Sequence, residues 1–430
     1  MTEEFLQYIW KHTLFDRSKL VTSVGKPIEI LRVGQHNHDS GPDFFNARLK
    51  IGNTLWAGNV EVHVKSSAWG QHRHQYDEAY KNVILHVVWE DDELVMRADK
   101  TFIPALELKQ IVPKDIYDRY AALRFSSKDI PCEKEIGKVD SMVIIPWLDR
   151  LLAERLERKT DFINAKLNKT INDWEETFYQ VLMRNLGNPV NSEPFEHLAS
   201  TLPYKHIIKH CEQPLQVEAL LFGQAGLLDA EFKDEYPNKL KTEYKHLKNK
   251  LSLTPIAKAE WKFMRIRPPH FPTMRIAQLA AILTKHNHLF RKMIEAKDAK
   301  EIAKLFSVKP SAYWQTHYRF DKASAKNEAT IGKSTIEILI INAVVPTLFL
   351  YGKNTGNEEV TEKALRILHS LNTEKNSIIN KWESIGIKAQ DAYDSQALIQ
   401  LRKEYCDKKR CTQCAIGHKV MNVKKAGITL

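Results

Sequence analysis

The stretch from 41 to 65, GPDFFNARLKIGNTLWAGNVEVHVK, sets two carboxylates, Asp43 and Glu61, close in sequence to His63 and Lys65. A hard divalent cation asks for about two carboxylates and for open positions that water and a phosphate oxygen can fill. Asp43 and Glu61 are the candidate ligands, and Lys65 or His63 is the candidate helper of the attacking water. His36 and His38, just upstream, extend the candidate ligand set. Carboxylates alone suit Mg²⁺ or Mn²⁺, whereas added imidazoles shift the preference toward Zn²⁺ or Mn²⁺.

The elements that must position these groups are strands. Gly52-Asn53 separates two alternating apolar runs, which predicts a β-hairpin with a two-residue turn. On the second strand Glu61, His63 and Lys65 share one face, and Val60, Val62 and Val64 share the other. In that register Asp43 falls opposite Val62, on the apolar face with Phe45, Ala47, Leu49 and Ile51. It reaches Glu61 only if the strand is twisted or bulged near Pro42. A three-residue turn would set it opposite His63.

The hairpin resembles the PD-(D/E)XK nuclease superfamily, in which an Asp after a Pro opens one strand and an acid-x-Lys tripeptide sits on the next. Pro42-Asp43 matches; the tripeptide reads Glu61-Val62-His63, with the lysine one strand repeat later at Lys65. The resemblance implies a restriction-endonuclease-like α/β core, Mg²⁺ or Mn²⁺ at the carboxylates, and hydrolysis of phosphodiester bonds in DNA or RNA. The flanking pattern suits a small mixed sheet. Phe5, Ile9, Trp10 and Phe15 are spaced for a short amphipathic helix, and residues 27–33, 83–89 and 101–109 are strand candidates. A polar crossover, WGQHRHQYDEAYKN, precedes the second of these strands. The six histidines between His36 and His86 allow two readings: a metal shell or phosphate contacts, or His72 and His74 as loop surface and His86 as a core histidine, the second being favoured for His86.

With 430 residues, 43% hydrophobic and 27% charged, the chain is globular and long enough for two or three domains. A net charge of +11 favours an anionic partner such as nucleic acid. No leader or membrane-length apolar run is expected, which points to a cytoplasmic protein without a membrane partner. Five cysteines in this length do not make a disulfide framework.

Three segments follow: an α/β domain over 1–125, a mostly helical domain over 126–400, and a basic, cysteine-containing tail over 401–430. In the helical part, apolar residues recur at three and four spacing, so its Met and aromatic stripes read as core. RIRPPHFPTMR is the exception, because its prolines forbid a regular helix. Its Arg265, Arg267 and Arg275 are candidate phosphate contacts; the alternative is a stiff connector whose arginines cap helices or pair with acids. Gly332-Lys333-Ser334 lacks the first glycine and the strand of a phosphate loop and reads as a helix N-cap region.

The tail holds Cys406, Cys411 and Cys414, close enough to share a metal. The fourth ligand is either Cys132, returning from the end of the first domain, or the local His418. With Cys132 the set is similar to iron–sulfur nucleases, in which a distant cysteine and a C-terminal trio clamp a cluster; with His418 it is a zinc site.

Over nearly its full length the chain also resembles a bacterial family of unknown function. GPDFFNARL, GNVEVHVKSSAW, NVILHVVWE, FYQVLMRNLGNPVNSEPF, RPPHFPTMRIAQLA and CTQCAIG carry that resemblance, which supplies no activity. The expected function is therefore a metal-dependent nuclease. Its rivals are a noncatalytic nucleic-acid-binding or scaffold protein on a degenerate nuclease core, and a histidine-rich metallohydrolase.

Overall fold

The structure is a computed structural model and describes residues 1–422. It divides into two compact units. One comprises Met1–Leu148, Ser384–Ile387 and the chain from Leu401 on; the other comprises Asp149–Glu383 and Lys388–Gln400. The sequence division at 125 and 400 therefore does not coincide with the contacts. Residues 126–148 and the described part of the basic tail belong to the same unit as the N-terminal sheet, and the cysteines they carry are buried.

The first unit opens with α1 (Glu3–His12), capped by the Thr2 side chain, which accepts the Phe5 amide. Its buried face, Phe5, Leu6, Ile9 and Trp10, lies against the sheet. The strands are β1 (Ile28–Arg32), β2 (Gln35–His36), β3 (Phe44–Ile51), β4 (Thr54–Lys65), β5 (Val83–Glu90) and β6 (Ala105–Glu107). They form one mixed sheet in the order β1-β3-β4-β5-β6, with β2 also on β3. β3 is antiparallel to β1, β2 and β4, whereas β4, β5 and β6 run parallel.

A parallel step needs a crossover rather than a tight turn. Residues 66–82 supply it between β4 and β5 through α2 (Ala68–Gln71) and two 3₁₀ turns, His74–Tyr76 and Glu78–Tyr80. Asp92 pins its start, accepting the Ser66 hydroxyl at 3.1 Å and the Ser67 amide at 3.0 Å. Trp69 and Tyr80 pack with Val83, Val95 and Ile103 beneath it. At its end, Gly58 lets β4 pass under the loop: a Cβ there would lie 2.5 Å from the Asn82 carbonyl oxygen. Helix α3 (Lys114–Arg124) follows the sheet.

The described end of the chain folds onto α1 and α3. Arg119 donates to the Met421 carbonyl at 2.8 Å, Thr412 donates to Glu4 at 2.5 Å, and Tyr8 shares a 2.8 Å hydrogen bond with His418.

The second unit is helical apart from a two-stranded ribbon, His317–Arg319 with Lys322–Ala323. Its apolar stripes are core: Ile163, Val181, Ala343 and Leu350 form one cluster, with Trp174 against it. The run Lys333–Thr355 is long and apolar enough to cross a membrane, which the sequence reading did not expect, but 72% of its apolar window is buried within the protein. Gly332 is its N-cap, as the sequence predicts.

Candidate metal centre

The β3–β4 hairpin settles the register question. Gly52-Asn53 is a two-residue turn, and Ile51 pairs with Thr54 through to Ala47 with Gly58. Then the register slips by one residue, so that Phe44 pairs with Val60. A bulge adds one residue to one strand and reverses the facing of everything beyond it. The extra residue lies between Phe44 and Ala47, where Asn46 adopts the left-handed conformation (φ 57°) and donates its amide to the Asn59 side chain at 3.3 Å. Phe44, not Phe45, therefore fills the core, and Asp43 comes level with Glu61 instead of Val62.

The two carboxylates are interlocked through the backbone. The Asp43 amide donates to Glu61 Oε2 at 3.1 Å, and the Val62 amide donates to Asp43 Oδ2 at 3.0 Å. Gln7, from α1, donates to Asp43 Oδ1 at 2.8 Å. Burial holds both carboxyls above the usual carboxylate range, and the Asp43 charge raises Glu61 further. Buried acids in this state bind a proton or a cation.

Imidazoles surround the free oxygen of Glu61. Its Oε1 lies 3.5 Å from His63 Nε2 and 3.6 Å from His74 Nε2, and His72 Nδ1 lies 3.3 Å from His63 Nε2. Among the described residues, His63, His72 and His74 are the one trio whose ligand atoms all fall within 4.8 Å of one another. His63 Nδ1 is bonded to His86 Nε2 at 2.8 Å. Burial drives the His63 pKa down to about 2 and that of His86 down to about 3, and lowers that of His74, so these rings are neutral at physiological pH.

His74 is half-buried against the strand, whereas His72 is exposed on the loop with its Nδ1 near His63. Arg73 between them is left-handed (φ 61°), which breaks the helical path and lets its neighbours converge. The signal in the sequence was the alternating pair His72-Arg73-His74 seven residues beyond the strand that carries Glu61 and His63.

The other candidates are not part of this histidine trio. Lys65 is one repeat along β4 from His63, more than half exposed, and pairs with Asp92 at 3.6 Å. His36 and His38 face each other, ring centroids 4.3 Å apart, and His36 stacks on Phe44. In the second unit Arg265 and Arg267 are exposed. Arg275 is buried, donating to Gln278 at 2.9 Å and bonding His270 Nδ1 at 2.6 Å. Its partners are neither acids nor a helix end, and its burial removes the guanidinium from any phosphate at the surface.

Cys132, Cys406, Cys411 and Cys414 all belong to the first unit, buried and reduced. Cys132 opens the turn in which Glu135 and Ile136 return amides to its carbonyl, Cys406 ends the helical segment Leu401–Cys406, and Cys414 caps the helix Ala415–Met421. Burial, with the neighbouring thiols adding to it, pushes Cys132 and Cys411 up to about 12 and raises Cys406 as well. The amides of Ile416 and Gly417 and the Trp147 indole point at the Cys414 sulfur. His418 is engaged with Tyr8 instead.

No curated protein and no solved structure matches this chain. Residues 3–377 match the family described as protein of unknown function (DUF2851), which covers the sheet, the carboxylates, the histidines and most of the helical unit; the chain belongs to that family.

Proposed function

We propose that this protein is a metal-dependent hydrolase of nucleic-acid phosphodiester bonds, acting at Asp43 and Glu61. The carrying observation is the bulge at Asn46, which brings the Asp of Pro42-Asp43 level with the first residue of Glu61-Val62-His63. The surroundings support a restriction-endonuclease-like core: a leading helix, an antiparallel hairpin and a polar crossover to a parallel strand.

Asp43 and Glu61 would hold the ion, which supplies a water of lowered pKa and charge to meet the developing negative charge on phosphate. The Val62 and Asp43 amides and Gln7 fix the carboxylates before substrate arrives. His63 takes the lysine position of the tripeptide. Being neutral, it brings no positive charge, so charge compensation falls to the ion. The formal charge of +11 gives nucleic acid a long-range attraction that weakens with salt. Arg265 and Arg267 are the exposed candidates for backbone contact.

The test is cleavage of single- and double-stranded DNA and of RNA by the full chain with Mg²⁺, Mn²⁺ or Zn²⁺. Glu61→Gln and Asp43→Asn should each lose roughly 100-fold or more in rate while keeping nucleic-acid binding. Binding without cleavage in the wild type would refute hydrolysis and leave the noncatalytic alternative.

The same reading places an iron–sulfur cluster at Cys132, Cys406, Cys411 and Cys414. Cys406-x₄-Cys411-x₂-Cys414 with one distant cysteine is a spacing that [2Fe–2S] centres use. Arg402, Lys409 and Arg124 offset the thiolate charge. Iron and sulfide in protein purified without oxygen, lost on Cys406→Ser, test this; one zinc and no colour would refute it.

A further inference from the structure

We propose that His63, His72 and His74 form a binding site for one zinc-class divalent ion beside Glu61 Oε1, the oxygen that the hairpin carboxylate pair turns toward the imidazoles. This deepens the hydrolase reading above by naming the class of ion at that centre. It rests on geometry that the hairpin carboxylates do not supply.

The first argument is metric. Zinc–nitrogen and zinc–oxygen bonds of about 2.0–2.1 Å in a tetrahedron place neighbouring ligand atoms about 3.4 Å apart. The separations here are 3.3 Å from His72 Nδ1 to His63 Nε2, 3.5 Å from His63 Nε2 to Glu61 Oε1, and 3.6 Å from Glu61 Oε1 to His74 Nε2. Two of these are too long for good hydrogen bonds; the three imidazoles offer ligand atoms all within 4.8 Å of one another, and Glu61 Oε1 adjoins two of them.

The second is that the remaining polar atoms are arranged to support ligation. Glu61 divides its oxygens: Oε2 takes the Asp43 amide, which leaves Oε1 turned to the imidazoles. His63 can donate its Nδ1 proton to His86 Nε2 at 2.8 Å, which leaves the Nε2 lone pair facing the same point. His74 Nε2 is enclosed and has no hydrogen-bond partner, while its ring stacks on Tyr80 with centroids 3.8 Å apart. A buried ring nitrogen without a partner is costly unless something fills its direction. His72 is exposed, which gives an ion and its water a way in.

The third is ligand chemistry. Three imidazoles and a carboxylate suit zinc and its first-row neighbours, whereas Mg²⁺ keeps oxygen ligands and several waters.

The test uses the full chain stripped with chelator, with Co²⁺ as the spectroscopic probe and Zn²⁺ as the calorimetric one. Cysteine-bound cobalt is separated by its sulfur charge-transfer bands, so the readout is the ion with only nitrogen and oxygen ligands. The wild type should bind one such equivalent with the intense visible bands of four- or five-coordinate cobalt. His74→Ala and, at the exposed position, His72→Ala should each weaken it by about 10–100-fold. His36→Ala should leave it unchanged.

Equal binding in the wild type and both variants, or no nitrogen-bound equivalent in a wild type that is folded by circular dichroism, would overturn the site. Zinc bound through the histidines without phosphodiester cleavage supports the site and defeats the hydrolase reading. Cleavage that needs Glu61 but is indifferent to His72 and His74, with no zinc bound, defeats the site alone.

Discussion

Replacing Glu61 by Gln should make the metal-free protein more stable and change how its stability depends on pH. Glu61 is 5% exposed, and burial and the Asp43 charge raise its pKa above the unfolded value. An acid raised on folding keeps its proton in the native state while the unfolded chain releases it. Its stabilising contribution is therefore complete at low pH and is lost as pH rises from the unfolded pKa through the folded one. One retained proton tilts stability by about 1.4 kcal/mol per pH unit, or about 2.7 kcal/mol between about pH 5.5 and 7.5. Gln offers the Asp43 amide the same acceptor and has no proton to lose, so most of that slope should vanish. At 2–4 °C per kcal/mol the difference at about pH 7.5 is a rise of about 5–10 °C in the transition. The assay is thermal unfolding in chelator across this range, repeated with excess zinc. Zinc at 1,000 times its dissociation constant should add about 4.1 kcal/mol to the wild type and little to the variant, reversing their order. Parallel pH profiles in chelator would refute the buried, proton-retaining pair.

Other substitutions probe separate steps. Lys65→Met should leave any cleavage within about twofold and cost under about 1 kcal/mol of stability, because the Asp92 pair is exposed; loss of cleavage with metal binding intact would restore lysine to the working position. Asn46→Val puts a β-branched side chain at φ 57° and should cost about 1–3 kcal/mol, with weaker metal binding as the register shifts; denaturant unfolding and calorimetry read both. Arg275→Met leaves His270 and Gln278 without their partner in the second unit, so denaturant unfolding should show a loss of about 2–4 kcal/mol with nucleic-acid affinity per folded molecule unchanged. Gly417→Ala drives a methyl into the Cys411 carbonyl oxygen, so iron content should fall with the first unit still folded.

The hairpin shows how far the sequence carries. Alternation and Gly52-Asn53 give the strands, their turn and the shared face of Glu61 and His63. They do not give the bulge: Asn46, a residue that tolerates left-handed backbone and is depleted in strands, is a local hint, but its place in the ladder depends on Asn59 of the partner strand, which accepts its amide. One extra residue reverses parity, so the sequence put Phe45 inward where Phe44 is buried, and set Asp43 against Val62. The helical unit was legible as core for the opposite reason: periodicity over many turns survives a local irregularity, and so Gly332 emerges as a cap. Arg275 was misplaced as a phosphate candidate because a guanidinium satisfied by a histidine and a glutamine in the interior has the same one-dimensional signature as one in solvent.

Whether His72 and His74 join the site or face water was undecided in the sequence for a topological reason. A polar crossover between parallel strands usually faces water, and nothing local distinguishes such a loop from one folded back over the strand it leaves. Here the distinction lies in Ser66 and Ser67 tied to Asp92, and in Trp69 and Tyr80 buried with residues of the strand beyond. Those contacts anchor the loop at both ends and leave Arg73 to turn the chain between two histidines. The anchors do not need a metal, so the loop is held in place before any ion arrives. The entropy of ordering it is then met by packing rather than by ligation, which is the condition for tight binding by an exposed histidine. It also makes Trp69→Ala a sharper probe than either ligand: it should weaken zinc at Glu61 without touching a ligand atom, and equal affinity in a folded variant would show that the loop is not pre-ordered by its core contacts.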